Sequence, residues 1–279
     1  MAQGATGGSP ALAAAVREPP PIPIANRFTD ERALAVLSAE AARFAATREG
    51  RVSVALLDFT TDTAYLHGAD TRYLLASIGK VPLLLALLEQ THRSGRSLTM
   101  GQRQAVAAMI ARSDNDAATA VWQEVGRNWG VRSLLARLQL GDVKVGWDWG
   151  GMQADAREVA LLYGEIGGGQ ILSEQTRKWA LSLMQRIDID QAWGVSAGFL
   201  PTPGTATLAL KNGWNPEWDG WQVHSAGVVR RADGTPWYAL AILTAGQPSE
   251  RYGIETVEGV ARALNRAMVP IPWSVVGWW

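Results

Sequence analysis

A serine and a lysine stand three residues apart in the stretch Ala76-Ser77-Ile78-Gly79-Lys80-Val81-Pro82. Residues three apart on a helix lie on the same face, so the Lys80 ammonium can reach the Ser77 oxygen. The leucine-rich stretch that follows is apolar on nearly every side, which predicts a buried helix, and burial favours a neutral lysine. A neutral lysine against a serine hydroxyl is a base beside a nucleophile. A serine helix cap and a lysine that lies along a core helix explain the same residues equally well.

Two further short motifs carry the polar side chains that such a pair would need. Ser113-Asp114-Asn115 stands in a break between two helical patterns, and Lys211-Asn212-Gly213 ends a strand pattern. Each has an ordinary structural explanation, the first as a helix cap and the second as an exposed strand end before a turn. In this order and in these settings, however, the three motifs match the serine-reactive signature S-x-x-K, S-D-N, K-[ST]-G, with Asn212 in place of the hydroxyl residue.

Hydrophobic patterns and capping signals predict the elements that must hold these motifs. The predicted helices begin at Thr29 and Ser77, follow a cap at Thr99, begin again near Asp116, and cover 131–138, 156–166, 174–186 and 254–268. Strand patterns cover 52–59, 63–67, 206–211, 221–231 and 235–244, the last two joined by the hairpin signal Ala232-Asp233-Gly234. Because the strands follow one another without helical crossovers, the sheet should be antiparallel. We therefore predict an α/β (α+β) fold with an antiparallel sheet of about five strands, flanking helices and an inserted all-helical subdomain.

The same patterns divide the chain into three segments. Residues 1–26 are rich in Pro, Gly and Ala and predict a flexible leader. The folded domain is predicted over 27–270, with a sheet part at 27–76 and 200–270 and a helical part at 77–199. The apolar residues 271–279 form a tail to which the sequence assigns no role.

Composition excludes several classes of function. The 279 residues carry 26 basic and 26 acidic side chains without a long basic run, so a nucleic-acid partner has no electrostatic support. There is no cysteine, which excludes disulfides, thiol catalysis and cysteine-ligated metals. The three histidines, His67, His92 and His224, lack ligand spacing, and we predict neither metal nor cofactor. The longest apolar run, 81–88, is too short to span a bilayer, and no export signal is visible.

With these motifs in this order, the chain resembles the serine β-lactamase and penicillin-binding protein superfamily, and within it the class A β-lactamase-like branch. The resemblance covers about residues 28–268 and includes the late strands in 210–246. It implies that Ser77 attacks a carbonyl and becomes acylated, and that Lys80 takes its proton. It also implies that Ser113 passes a proton to the leaving nitrogen.

The resemblance assigns the remaining motif residues to substrate binding. Asn115 would hydrogen-bond the amide side chain of the substrate and orient Lys80, while Lys211 would attract a substrate carboxylate. Asn212 and Gly213 would complete this binding edge. The oxyanion hole would use the backbone N–H groups of Ser77 and Trp214. At the start of a helix the dipole favours the negative charge that develops there.

The chain departs from the class A pattern in the loop that supplies the deacylating glutamate. The equivalent stretch, Gly141 to Ala154, contains no glutamate, and its only carboxylates, Asp142 and Asp148, have the wrong spacing. Their ordinary explanation is as loop or cap residues. The link between the Ser77 helix and Ser113 is also shorter than in class A enzymes, which removes a wall of the cleft. We therefore expect acylation to proceed and deacylation to be slow.

The sequence thus predicts a serine acyl-enzyme hydrolase that acts on a β-lactam or a related amide, peptide-like compound or ester. The alternative is a catalytically idle relative that binds cell-wall peptide or glycan. The resemblance further implies export to the periplasm or the cell-wall side, and a monomer is the expected oligomeric state.

Overall fold

The computed structural model describes residues 23–269. The strands are β1 (Asp30–Ala33), β2 (Arg51–Asp58), β3 (Thr63–His67), β4 (Tyr73–Leu74), β5 (Gln153–Ala154), β6 (Ala206–Glu217), β7 (Gly220–Arg231) and β8 (Pro236–Gln247). The α-helices are α1 (Leu34–Leu37), α2 (Ala39–Ala46), α3 (Lys80–Arg93), α4 (Met100–Ala111), α5 (Asn115–Glu124), α6 (Arg127–Arg137), α7 (Ala156–Gly168), α8 (Glu174–Met184) and α9 (Glu250–Met268). Short 3-10 turns lie at Ile24–Asn26, Ala76–Gly79, Trp149–Gly151 and Ile189–Gln191.

Within the described residues one sheet has six strands in the order β1-β3-β2-β8-β7-β6. Its five longer strands pair antiparallel, which confirms the predicted α/β fold and the antiparallel meander. The hairpin at Ala232-Asp233-Gly234 is also confirmed: Asp233 Oδ1 accepts a hydrogen bond from Thr235 N at 2.8 Å, and Gly234 has a φ of +86°. That φ lies in the left-handed region, where glycine has no steric penalty.

The sixth strand corrects the predicted start of the helix that follows Thr29, because the helical residues begin only at Leu34, in α1 and α2. Residues 30–33 form β1 instead, which pairs in parallel with β3 from Asp30 opposite Thr63 to Ala33 opposite Leu66. All four residues of β1 are exposed, so no apolar face distinguishes a helix from a strand here. The edge of β3 supplies backbone hydrogen-bond partners, and this tertiary pairing overrides the local capping signal.

Helices cover both faces of the sheet. Helix α7 packs across β2, β7 and β8 on one face, and α2 and α9 pack together on the other. Each face has its own hydrophobic core, and the core under α7 continues into the helical block that contains α3 to α6. Helix α3 runs through the core under α7, and Val81 and residues 83–88 are at most 3% exposed. The prediction of a buried helix after Ser77 is therefore confirmed.

The described residues end near the predicted domain limits. The tail 271–279 and most of the leader lie outside them. The 3-10 turn Ile24–Asn26, which the sequence assigned to the leader, packs against α7, and Ile24 is buried. Over residues 23–269, none of the helices combines the length and the apolarity needed to cross a membrane.

Candidate active site

Ser77 lies in the 3-10 turn that precedes α3, one turn before the α-helix begins. The turn is held from behind, because Leu75 N donates to Met152 O at 2.8 Å. Ala76 has a φ of +47°, which places a non-glycine residue in the left-handed region directly before Ser77. Such backbone conformations cost free energy and persist only where the surrounding structure enforces them. Ser77 itself is partly exposed.

Lys80, the first residue of α3, is completely buried. Its ammonium donates to the backbone oxygen of Ser113, to Ser113 Oγ at 3.1 Å and to Asn115 Oδ1 at 2.7 Å. These three acceptors use all three ammonium hydrogens, and no hydrogen bond joins Lys80 Nζ to Ser77 Oγ in this arrangement of the described chain. The ring of Trp149 covers the ammonium at 4.7 Å from Nζ to the ring centroid. Burial lowers the pKa of Lys80 from 10.5 to about 8.

Ser113 and Asn115 reach Lys80 from the break between α4 and α5. Ser113 has a φ of +57°, again in the left-handed region. Between them, Asp114 caps α5 by accepting from Ala117 N at 2.8 Å. The helix-cap explanation of this motif therefore holds for Asp114, while the side chains of its two neighbours contact the lysine.

Lys211, on β6, contacts the same serine from the opposite side. Its Nζ donates to Ser113 Oγ at 3.0 Å and to Asn212 O at 2.9 Å, and the residue is 1% exposed. Burial, and then the nearby Lys80 ammonium, lower the pKa of Lys211 from 10.5 to about 7. Ser113 Oγ thus lies within hydrogen-bond distance of two buried lysine nitrogens.

Gly213 lets β6 approach the Ser77 turn. A Cβ at this position would lie 2.7 Å from Leu75 O, 2.8 Å from Ile78 N and 2.9 Å from Ser77 N. Backbone contacts this short exclude any side chain. The next residue, Trp214, lines the cleft beside Ser77 and packs edge-to-face on Trp193 with the ring centroids 5.7 Å apart.

Asn212, predicted at the substrate edge, faces a neighbouring loop. Its Nδ2 donates to Gln191 O at 2.9 Å and to Trp193 O at 3.1 Å, and the residue is 1% exposed. Its Oδ1 is buried and has no hydrogen-bond partner within residues 23–269. Asn212 therefore fixes the loop after α8 against β6, and a direct contact with substrate stays a prediction.

A cleft of about 270 Å³ opens above these groups and is lined by Ser77, Arg112, Ser113, Asn115, Gln191 and Trp214. The sequence analysis missed Arg112 and Gln191. Arg112 directly precedes the Ser113 motif, so its position in the chain was a usable signal. Gln191 enters from a separate loop, where its Nε2 donates to Arg112 O at 3.1 Å, and no local pattern indicates this contact.

His224 contacts the backbone just before the Ser77 turn. It is completely buried on β7, its Nε2 donates to Leu74 O at 2.9 Å, and its Nδ1 accepts from Thr244 N at 3.1 Å. Both contacts require the neutral ring with hydrogen on Nε2. Burial lowers the pKa of His224 from 6.5 to about 4. His224 is therefore a packed residue of β7.

The two carboxylates between Gly141 and Ala154, in the loop that joins α6 to α7, lie away from a catalytic arrangement. Asp148 Oδ1 accepts from Gly151 N at 2.9 Å and so caps the turn Trp149–Gly151. Asp142 is exposed. Within the described range, no group of three or more His, Asp or Glu side chains is placed to hold a metal ion.

The fold matches solved structures of serine-reactive enzymes. A β-lactamase from Chitinophaga pinensis superposes with a TM-score of 0.72 at 18% identity, covering 82% of this chain and 98% of that one. The structure of PBP-A gives a TM-score of 0.71 at 20% identity, covering 86% and 98%. A β-lactamase from Sphaerobacter thermophilus gives 0.71 at 19%, covering 85% and 98%. No curated protein matches the chain by sequence.

The fold is therefore that of the serine β-lactamases and penicillin-binding proteins. The sequence model of the beta-lactamase enzyme family matches residues 92–268, well over half of the chain, and the protein belongs to this family. Its general function is that of a serine hydrolase of the β-lactamase type.

Proposed function

We propose that this protein forms a covalent acyl-enzyme on Ser77 with a β-lactam or a related amide or ester, and that it releases the acyl group slowly. The observation that carries the proposal is the position of Ser113 Oγ, 3.1 Å from Lys80 Nζ and 3.0 Å from Lys211 Nζ. A hydroxyl between two buried amines of lowered pKa can pass a proton from one to the other.

The proton path follows from the hydrogen bonds. Lys80 donates three hydrogen bonds to Ser113 and Asn115, which requires the protonated form of its amine. Burial lowers the pKa of both lysines, and the nearby Lys80 ammonium lowers that of Lys211 further, which favours a neutral Lys211 beside a charged Lys80. We propose that Lys80 becomes the base when its proton moves through Ser113 Oγ to Lys211. Because the two amines share this hydroxyl, their titrations are coupled.

Acylation then proceeds with balanced proton movements. Ser77 Oγ adds to the substrate carbonyl carbon while Lys80 Nζ accepts the hydroxyl proton. The oxyanion accepts hydrogen bonds from the backbone N–H groups of Ser77 and Trp214. When the C–N or C–O bond breaks, Ser113 donates a proton to the leaving atom and is reprotonated by a lysine. The products are an ester on Ser77 and a protonated leaving group.

We propose an anionic substrate that is held by Arg112. Lys211 was the predicted carboxylate partner, but its Nζ is buried, already donates to two oxygens, and has a pKa near neutrality. Arg112 lines the cleft, and a guanidinium can bind a carboxylate through two parallel hydrogen bonds. No acidic residue within residues 23–269 forms a salt bridge with it, so its guanidinium is available to a carboxylate.

Slow deacylation follows from the loop between α6 and α7. Asp155, at the end of this loop, caps α7. Hydrolysis of the ester needs a water whose proton is taken by a positioned base, and the rest of the loop offers only Asp142 and Asp148. One is exposed and the other caps a turn. Loss of a general base costs roughly 10²–10⁴ in rate, so we expect the acyl-enzyme to accumulate.

The test is exposure of the protein to a fluorescent penicillin, followed by intact-mass measurement. We expect one covalent adduct per chain in the wild type and none in Ser77→Ala, with full labelling of the control Ser97→Ala, which changes an exposed serine outside the cleft. Equal labelling of Ser77→Ala would refute the nucleophile. Absence of any adduct, together with reversible binding of cell-wall peptide or glycan, would favour the alternative of an idle binding protein.

We also propose export to the periplasm or the cell-wall side, as is usual in this family, and a monomeric state. Fractionation of the native cell tests the first, and sedimentation of the purified protein tests the second. Recovery of the native protein only from the cytosol would refute export.

A further inference from the structure

A tryptophan of the loop that lacks the class A glutamate lies against Lys80. Trp149 begins the 3-10 turn between α6 and α7, and its ring centroid lies 4.7 Å from Lys80 Nζ. Its Nε1 also donates to Thr119 Oγ1 on α5 at 3.3 Å. The indole therefore bridges the loop, α5 and the start of α3.

The backbone of this loop is fixed in place. Lys144 and Gln153 exchange two hydrogen bonds of 2.8 Å, which close the loop at its base. At its tip, a Cβ on Gly79 would lie only 2.6 Å from Trp149 O, so the loop rests directly on the Ser77 turn. The backbone on both sides of Trp149 is therefore held in place, and the indole has a fixed position in the site.

Trp149 completes the enclosure of Lys80. The ammonium donates its three hydrogens to oxygens of Ser113 and Asn115, and the aromatic face covers another side of the same nitrogen. As a result Lys80 is 0% exposed, although Ser77, three residues earlier, is open to the cleft. An aromatic face stabilises a desolvated cation and at the same time excludes water from it.

We propose that Trp149 is a positioning residue that excludes water from the Lys80 side of the Ser77 ester and so prolongs the acyl-enzyme. This inference rests on the proposed acylation of Ser77. Hydrolysis would add a water oxygen to the ester carbonyl, transfer one water proton to a base and return Ser77 Oγ as a hydroxyl. Lys80 is the base proposed for Ser77, and the indole covers one side of its nitrogen and so keeps water from it.

The same contact contributes to the acid–base state of Lys80. Desolvation is the largest cause of the lowered pKa of this lysine. Removal of the indole takes away a favourable aromatic contact with the cation but lets water reach the ammonium. Because desolvation is the largest cause of the lowered pKa, the net change should be a rise towards the ordinary value. A tryptophan that served only to pack the loop would leave both this pKa and the ester lifetime unchanged.

The experiment compares Trp149→Ala and Trp149→Phe with the matched control Trp147→Ala. Trp147 lies two residues earlier in the same loop and is 99% exposed. Stopped-flow hydrolysis of a chromogenic cephalosporin gives the acylation rate, and mass spectrometry of quenched samples gives the acyl-enzyme lifetime. In Trp149→Ala we expect the lifetime to shorten at least about tenfold, because a base that reaches the hydrolytic water typically contributes roughly 10²–10⁴ in rate. Trp149→Phe, which keeps an aromatic face, and Trp147→Ala should both retain the wild-type lifetime.

A second measurement requires no acylation. The side chain of Lys80 is followed by NMR with carbon-13 at Cε in the wild type and in Trp149→Ala, and the titration midpoint should rise in the variant. An unchanged midpoint together with an unchanged lifetime overturns the inference. If the wild type forms no adduct at all, the proposed function fails, and the midpoint alone then decides the inference: a rise supports the water-excluding role of Trp149, and no change refutes it.

Discussion

Replacement of Gly213 by alanine tests how strand β6 fixes the proposed nucleophile. The added Cβ would lie between 2.7 and 2.9 Å from three backbone atoms of the Ser77 turn, namely Leu75 O, Ile78 N and Ser77 N, whereas ordinary contact begins at 3.4 Å. The gap between strand and turn must therefore widen by about half an ångström or more. None of the three atoms belongs to a flexible side chain, so the backbone itself has to move.

Two consequences of this movement can be estimated. Overpacking of a well-packed site typically costs about 1–3 kcal/mol of unfolding free energy. For a domain of this size, each kcal/mol lowers the melting temperature by roughly 2–4 °C. Acylation should suffer more, because displacement of reacting groups on the order of 1 Å can cost about 10²-fold in rate. We therefore expect Gly213→Ala to melt roughly 2–12 °C lower and to acylate about a hundredfold more slowly.

The assay combines thermal unfolding with the rate of adduct formation by a fluorescent penicillin, measured well below the melting transition. Gly101→Ala on α4 is the matched control, because a Cβ there meets nothing within 4 Å. This control should keep the wild-type acylation rate and lose no stability. A Gly213→Ala protein that acylates at the wild-type rate would show that the close approach of β6 is not needed to position Ser77.

Three further predictions concern charged groups. Lys80→Arg keeps the charge but cannot deprotonate, so acylation measured by stopped flow should fall at least about 10²-fold, and an unchanged rate would exclude Lys80 as the base. The pKa of His224 is 6.5 in the unfolded chain and about 4 in the folded one, so a fall in pH from 6.5 to 4 should lower the free energy of unfolding by about 3 kcal/mol. His224→Gln should remove this dependence of the unfolding free energy on pH, whereas the control His92→Gln, at an exposed position, should keep it. Arg112→Gln should raise KM about 10- to 100-fold for a carboxylate-bearing substrate, and an equal rise for its neutral ester would refute the proposed ion pair.

Most of the fold could be predicted because its elements carry regular apolar patterns. Strand β3 was predicted from Thr63 to His67 and is observed with these bounds. Strand β6 runs six residues beyond its predicted end, to Glu217, because pairing with β7 continues through Asn215 and Pro216, which have low intrinsic strand propensity. The error at β1 has the same origin: its four exposed residues form a strand only because the edge of β3 is available.

The candidate site shows a different limit. Three sequence motifs predicted which residues meet, and the structure brings Ser113, Asn115 and Lys211 to Lys80 or to its hydrogen-bond partners. The direction of each hydrogen bond could not be predicted. Lys80 was expected to contact Ser77, but its acceptors lie 33 to 35 residues further along the chain. Contacts of this range depend on how α5 packs against α3, and spacing within one helix carries no information about that packing.

The two strained residues beside the cleft connect the stability of the fold to the proposed proton transfer. Ala76 and Ser113 both have positive φ values, and each such conformation costs roughly 1–2 kcal/mol for a non-glycine residue. Glycine would remove this cost at either position, but at position 113 it would also remove the hydroxyl that lies between the two lysine nitrogens. The conformation at Ser113 is therefore explained by its side chain: the left-handed backbone lets Oγ contact both Lys80 and Lys211. Lys80 belongs to the buried helix α3, so its hydrogen bond with Ser113 joins the strained loop residue to the core.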